Sequence, residues 1–249
     1  MKIVIPARFA SSRLPGKPLA DILGKPMIQH VWERAMEAAG LGDEVIIAAD
    51  DDRILAKAEA FGAHAVKTLD THESGTDRIA EVAALCGFHD DEIIINLQGD
   101  EPLMPPSLVC GVGEALAINS SAEMATASTR IYSVDDVRNP NIVKVVTGAT
   151  GMALYFSRSI IPHFRSSDID VQQYNYQRHI GLYAYRVSTL QKLTQLPPAP
   201  AEKLEQLEQL RALHAGMKIY VQEIDNAPPH GVDTFEDLEA VRQTIGSFE

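Results

Sequence analysis

The chain has 249 residues, 45% of them hydrophobic and 22% charged, which suits one sizeable α/β domain. Asp and Glu outnumber Lys and Arg by 34 to 22, and the formal net charge of -12 excludes a general nucleic-acid surface. Two cysteines without metal-ligand spacing, Cys86 and Cys110, no apolar leader and no run of membrane-span length point to a cytoplasmic protein with free thiols and no membrane insertion.

A β-branched run at 3–5 predicts a buried strand that stops at Pro6. The loop after it carries Arg8, Ser11, Ser12, Arg13, Gly16 and Lys17, stiffened by Pro15 and Pro18. Cations at this density in an acidic chain, at the carboxyl end of a strand, fit an anionic ligand such as a phosphate chain. A solvated turn is the other use of such a segment. Neither a Walker A loop nor a G-x-G-x-x-G fingerprint occurs, which leaves cationic side chains to hold phosphates.

Residues 27–39 repeat apolar positions at helical spacing, with Ile28, Val31, Trp32, Ala35 and Met36 on one face. A strand at 45–49, a helix capped by Asp50-Asp51-Asp52 and running to about Phe61, a short strand at 63–66 and a helix at 76–85 follow. Residues 93–97 are almost continuously apolar, the pattern of a central strand buried on both faces. This alternation predicts a mostly parallel, doubly wound α/β sheet with right-handed crossovers. Further strands are expected at 124–131, 143–146, 152–156, 181–185 and 218–221. The polar stretch 166–176 reads as a mobile excursion, and the prolines at 197–200 precede one strong helix over 202–215. Thr234 and Asp237 form a capping pattern for a last helix over 234–245. With no linker chemistry, residues 1–249 read as a single domain with an inserted lobe around 120–215.

Gln98-Gly99-Asp100-Glu101-Pro102 follows the central strand directly, so Asp100 stands at the carboxyl edge of the sheet. A carboxylate there suits Mg²⁺ or caps a turn. Asp233 lies where an N-cap is wanted, and becomes a second ligand only if the fold brings it beside Asp100. Ser74, Gly75 and Thr76 offer small side chains and free N–H groups to a base or ribose, or cap the following helix. The polar sets around Arg158, around Arg178 to Tyr183, and at Glu208, Gln209 and Arg211 read, by themselves, as solvated faces.

Taken in order, I-P-A-R-F-A-S-S-R-L-P-G-K-P-L, H-E-S-G-T-D-R, N-L-Q-G-D-E-P, N-P-N-I-V-K-V-V, A-L-Y-F-S-R, R-H-I-G-L-Y-A-Y, L-E-Q-L-E-Q-L-R and G-V-D-T-F-E-D-L carry a family resemblance. Over nearly its whole length the chain resembles the 3-deoxy-manno-octulosonate (Kdo) cytidylyltransferases of lipopolysaccharide assembly. The resemblance implies a nucleotide-diphospho-sugar-transferase-like α/β fold, usually a homodimer. It implies an enzyme that joins CTP and Kdo to give CMP-Kdo and pyrophosphate, with Mg²⁺ as cofactor. Arg8, Ser11, Arg13 and Lys17 would hold the CTP phosphates, and Ser74, Gly75 and Arg78 would lie near the base. Asp100 and Asp233 would ligate the metal. Gln98, Arg158, His179, Tyr183, Glu208 and Gln209 would line the Kdo pocket, and Arg13, Lys17, Asp100 and Asp233 would carry catalysis. Two alternatives stand beside this: a cytidylyltransferase for a related sugar acid such as 8-amino-Kdo, and a non-catalytic nucleotide-binding homologue. The intact Asp100, Asp233, Arg13 and Lys17 argue against the second.

Overall fold

The computed structural model describes residues 1–11, 13–72, 74–165 and 169–247. The first half alternates as the sequence predicts. It runs β1 (Lys2–Ala7), a small hairpin of β2 (Asp21–Ile22) and β3 (Lys25–Pro26), α1 (Met27–Ala38), β4 (Glu44–Ala49), α2 (Asp52–Ala60), β5 (His64–Lys67), α3 (Gly75–Leu85), β6 (Ile93–Asn96) and α4 (Pro106–Ile118). The second half contains β7 (Met124–Arg130), α5 (Val134–Arg138), β8 (Lys144–Thr147), β9 (Ala153–Ser157) and β10 (Gln177–Arg186). It continues with α6 (Val187–Gln195), α7 (Pro200–Glu205), α8 (Gln209–His214), β11 (Ile219–Ile224) and α9 (Phe235–Gly246).

The main sheet has the order β11-β7-β10-β6-β1-β4-β5. β1 is parallel to β4 and β6, β4 to β5, and β7 to β11, whereas β10 runs antiparallel to both β6 and β7. The sheet is thus mostly parallel, with one reversed strand near its centre. Within the stretch 120–215, β7 and β10 belong to this sheet, while β8 pairs β10 and β9 outside its main path.

Both faces are covered, and the period-two alternation of strands assigns their side chains. Ile3, Ile5, Ile47 and Ile95 face α1 and α4 through Ile28, Val31, Val109 and Val112. Val4, Ile46, Ile94 and Tyr185 face the opposite layer through Ile79, Val82, Leu190 and Leu193. Each such side chain contributes roughly 1.5–3 kcal/mol on burial.

Several sequence expectations change. Pro6 does not end β1: it pairs with Ala48 inside the strand. Pairing with β6 ends at Val4 and Asn96, so the donor that proline lacks has no ladder partner to serve on that side. Met36 is exposed, outside the buried stripe of α1. The helices α4, α5 and α6 have no counterpart in the predicted elements; α4, P-S-L-V-C-G-V-G-E-A-L-A-I, is too uniformly apolar to show a helical period. The single helix expected over 202–215 is broken, because Gln206 adopts a left-handed conformation (φ 52) between α7 and α8. In the polar stretch 166–176, residues 166–168 lie outside the described residues. Val171 and Tyr176 are buried against Ile131 and Val137, so this part is packed into a small core of its own.

Candidate active site

The basic loop after β1 is pinned at both ends. The Phe9 N–H donates to Asp50 Oδ1 at 3.0 Å, and the Arg53 guanidinium lies over the Phe9 ring. Gly16 (φ +67) starts a 3₁₀ turn at Lys17–Leu19, and a Cβ there would meet the Phe9 ring at 3.3 Å. Ser11 Oγ accepts from the Leu14 N–H at 3.3 Å. Arg8 and Arg13 stand exposed at the mouth of the sheet; Ser12 lies outside the described residues.

An apolar cluster of Leu14, Ile22, Met27, Val232, Leu238 and Val241 packs this loop against the start of α9. It carries Asp233, distant in sequence, to the end of β6. There the Val232 N–H donates to the Asp100 carbonyl at 2.8 Å. Gly99 and Gly231 are what the close approach requires: a Cβ on Gly99 would lie 2.7 Å from the Pro6 carbonyl oxygen, and one on Gly231 2.9 Å from a Glu101 carboxyl oxygen.

Asp100 and Asp233 therefore stand side by side around one ammonium. Lys17 Nζ is 2.5 Å from Asp100 Oδ2 and 3.2 Å from Asp233 Oδ1, and it also donates to the Val232 carbonyl at 2.9 Å. Arg13 lies 3.0 Å from the same Asp233 oxygen. Burial, with Asp100 and Asp233 nearby, pushes the Glu101 carboxyl up to about 8, while Arg178 and Lys17 oppose the shift. Thr234 caps α9 and accepts from the Asp237 N–H at 3.2 Å, leaving the Asp233 carboxylate free of capping duty.

A cleft of about 300 Å³ opens over these groups. Arg8, Ser11, Arg13, Lys17, Ser74, Gly75 and Arg78 line it, together with Gln98, Asp100 and Asp233, whereas Thr76, also offered to a base or ribose, lines the neighbouring pocket instead. Ser74 caps α3, accepting from the Asp77 N–H, so the positive end of the helix faces the cleft. Arg78 has a second duty. Only 2% exposed, it donates to Thr68 Oγ1, to the Leu69 carbonyl and to Asp50, which links the α3 side of the cleft to the anchor of the basic loop.

Beside this cleft lies a pocket of about 60 Å³ lined by Gln98, Tyr183, Glu208 and Gln209, with Thr76, Asn96 and Tyr185. Gln98 lines both spaces, held by a 3.1 Å bond from its Nε2 to Asn96 Oδ1. The Tyr183 hydroxyl and Gln209 Nε2 are buried without a protein partner, and both belong to residues that line this pocket. Burial raises the Glu208 carboxyl above its ordinary range, against a hydrogen bond from Thr76.

Two residues expected around the sugar do not line this pocket. Arg158 is committed to backbone: its Nε donates to the Glu205 carbonyl at 2.7 Å and Nη1 to the Pro140 carbonyl at 3.1 Å. It clamps the end of α7 just before the break that presents Glu208 and Gln209. His179 sits between Phe156 and Tyr183, and its Nε2 bonds to Thr126 Oγ1 at 3.0 Å. Desolvation, reinforced by Arg178, holds its pKa down to about 3, and the ring packs against Tyr183. Asn96, Tyr185 and His72, which lines the larger cleft, were not singled out in the sequence. For two of them the signal is local: Asn96 is the one polar residue ending an apolar strand, and Tyr185 is a second tyrosine two positions after Tyr183, on the same face of β10; His72 carries no such signal.

Among the described residues there is no cluster of three or more His, Cys, Asp or Glu suited to a metal. Mg²⁺ does not need one, since it binds through one or two carboxylates and completes its shell with phosphates and water. The Lys17 ammonium between Asp100 and Asp233 is a stand-in cation, and the oxygen-only donors around it fit a hard divalent ion.

Comparison with known proteins agrees with this geometry. The family described as "Cytidylyltransferase" matches residues 2–219. The 3-deoxy-manno-octulosonate cytidylyltransferases of Thioalkalivibrio sulfidiphilus and Vibrio vulnificus are each 51% identical, over 98% of this chain and 98% of theirs. A solved structure of CMP:2-keto-3-deoxy-manno-octonic acid synthetase complexed with CTP superposes with a TM-score of 0.91 at 45% identity, covering 99% of this chain and 98% of that one. A cytidylyltransferase from Leptospira borgpetersenii, at 18% identity and a TM-score of 0.63, shares the fold. No helix of the described residues is long and apolar enough to cross a membrane. The chain belongs to the cytidylyltransferase family, among the 3-deoxy-manno-octulosonate cytidylyltransferases.

Proposed function

We propose that this chain transfers CMP from CTP to the C2 hydroxyl of 3-deoxy-manno-octulosonate, releasing pyrophosphate. The observation that carries the reading is the junction at Gln98. A cationic cleft with Arg8, Arg13 and Lys17 meets, at this one residue, a small pocket with unpaired polar atoms on Tyr183 and Gln209. A nucleotide in the first and a polyhydroxy acid in the second bring a hydroxyl up to the α-phosphorus. The relatives' names and the CTP bound by the solved neighbour support the same pair of substrates.

The residues act by placement and charge, as phosphoryl transfer requires. Arg8, Arg13 and Ser11 cradle the phosphate chain, and Ser74 and Gly75 present the start of α3 to the nucleoside. Gln98 orients the sugar against the nucleotide; Tyr183, Glu208 and Gln209 pair its hydroxyls. Asp100 and Asp233 would hold Mg²⁺, which when bound acidifies a hydroxyl and neutralises phosphate charge. No covalent nucleophile is required. Homodimer assembly and a cytoplasmic location complete the proposal.

Pyrophosphate release, measured with CTP or UTP and with or without Kdo, tests it. Release that requires both CTP and Kdo is expected. Release independent of Kdo, or no preference for CTP over UTP, would overturn the reading; turnover of 8-amino-Kdo in place of Kdo would reassign the acceptor.

A further inference from the structure

Lys17 Nζ donates to three acceptors at once: Asp100 Oδ2 at 2.5 Å, the Val232 carbonyl at 2.9 Å and Asp233 Oδ1 at 3.2 Å. An ammonium has three N–H donors, so none remains for a phosphate. Mg²⁺ lies ~2.1 Å from its oxygen ligands. A cation at that distance from both carboxylate oxygens would fall against Nζ, and two positive charges in contact repel strongly in a site where Lys17 is only 16% exposed. The ammonium and a divalent cation therefore compete for the same two carboxylates. The contest can be settled without moving the backbone. The 3₁₀ turn holds Lys17 in place through Leu19 N–H to the Gly16 carbonyl at 2.8 Å and Ala20 N–H to the Lys17 carbonyl at 3.1 Å. The four-carbon stem is free to swing.

We infer that Lys17 is an exchangeable internal counter-ion: it neutralises Asp100 and Asp233 until a divalent cation takes them, and then turns to the phosphates of the nucleotide. This rests on the nucleotide and metal roles proposed above. It makes the two ligands help each other. A cation arriving alone must expel an ammonium that has nowhere better to go. A nucleotide arriving alone finds its lysine already paired. Together, each supplies the other's missing partner, which is positive coupling between two binding events.

Mn²⁺ is the probe, with free aquo-Mn²⁺ counted by electron paramagnetic resonance in protein without nucleotide and then with CTP but no sugar acid. Lys17→Met should bind Mn²⁺ about tenfold or more tightly than wild type in the absence of CTP. The same variant should lose most of the gain in Mn²⁺ affinity that CTP gives the wild type. Lys17→Gln should behave alike, and Mn²⁺ should raise the melting temperature of both variants more than that of wild type, which also reports on their folding. Unchanged or weaker Mn²⁺ binding in both variants would overturn the exchange while leaving the metal site standing. If Asp100→Asn and Asp233→Asn, added to Lys17→Met, leave its Mn²⁺ affinity unchanged, the carboxylates are not the site and the metal reading falls with the exchange.

Discussion

Gln98 Nε2 donates to Asn96 Oδ1 at 3.1 Å, and through this bond the last residue of β6 fixes the one residue that, among the described residues, lines both cavities. Asn96 is 2% exposed and spends its side chain on this contact and on Tyr185. The pair should act as a unit. Gln98→Ala and Asn96→Ala are each expected to lower kcat/KM for the sugar acid. The double variant should lose less than the sum, with a coupling of roughly 0.5–3 kcal/mol. Strict additivity would separate Asn96 from the function of Gln98.

Arg158 is predicted to support the sugar pocket without touching the sugar. Its bonds to the carbonyls of Glu205 and Pro140 hold the end of α7, where Gln206 turns the chain toward Glu208 and Gln209. Arg158→Ala should lower the melting temperature and raise KM for the sugar acid together. A raised KM at unchanged melting temperature would instead mark Arg158 as a sugar ligand.

Two half-buried groups, Glu101 and His179, give stability opposite pH slopes. Glu101 titrates near 8 in the native chain against an ordinary 4.5, so the native state holds its proton more tightly. That contribution is present below 4.5 and is lost as pH rises through 8. Relative to Glu101→Gln, the cation-free wild type should weaken over this range by up to ~1.4 kcal/mol per pH unit. His179 is depressed from 6.5 to about 3, so its contribution is present above 6.5 and is lost as pH falls toward 3. His179→Gln should flatten that acid limb. Urea denaturation across the range checks both, and a pH-independent gap for either variant would contradict its assignment.

Asp100 and Asp233 are 31% and 49% exposed, so their ion pairs contribute little to folding. Asp100→Asn and Asp233→Asn should each lower kcat by at least about 10²-fold while leaving the melting temperature nearly unchanged. Near wild-type turnover in either variant would remove that residue from the reaction.

Much of the larger cleft was legible in the sequence because its lining is built from contiguous segments. The loop carrying Arg8, Ser11, Arg13 and Lys17, the cap at Ser74 and Gly75, and Asp100 each follow a strand or open a helix, where local chemistry fixes their place. The smaller pocket is different. Glu208 and Gln209 reach their pocket through a left-handed residue, Gln206, inside a pattern that reads as one continuous helix. Arg158 and His179, placed at the sugar by the family resemblance alone, make tertiary contacts with backbone carbonyls and with Thr126 that no local pattern announces. The helix α4 was hidden for a physical reason too: its outward positions include Ala117 and Ile118, so an apolar run masks the period that its buried face, Leu108, Val109, Val112, Ala115 and Leu116, would otherwise show. The meeting of Asp100 and Asp233 depended on an apolar cluster, Leu14, Ile22, Met27 and Val232 with α9, that no local pattern announces.

The central claim is that the sugar's C2 hydroxyl attacks the α-phosphorus of CTP across the junction at Gln98. It is tested most directly with Kdo carrying ¹⁸O at C2, by following the fate of that atom by ³¹P nuclear magnetic resonance and mass spectrometry. The account predicts that ¹⁸O ends in the bridge between C2 and the CMP phosphorus, with none in pyrophosphate. A CMP-sugar whose bridge lacks the label, or label appearing in pyrophosphate, would contradict it.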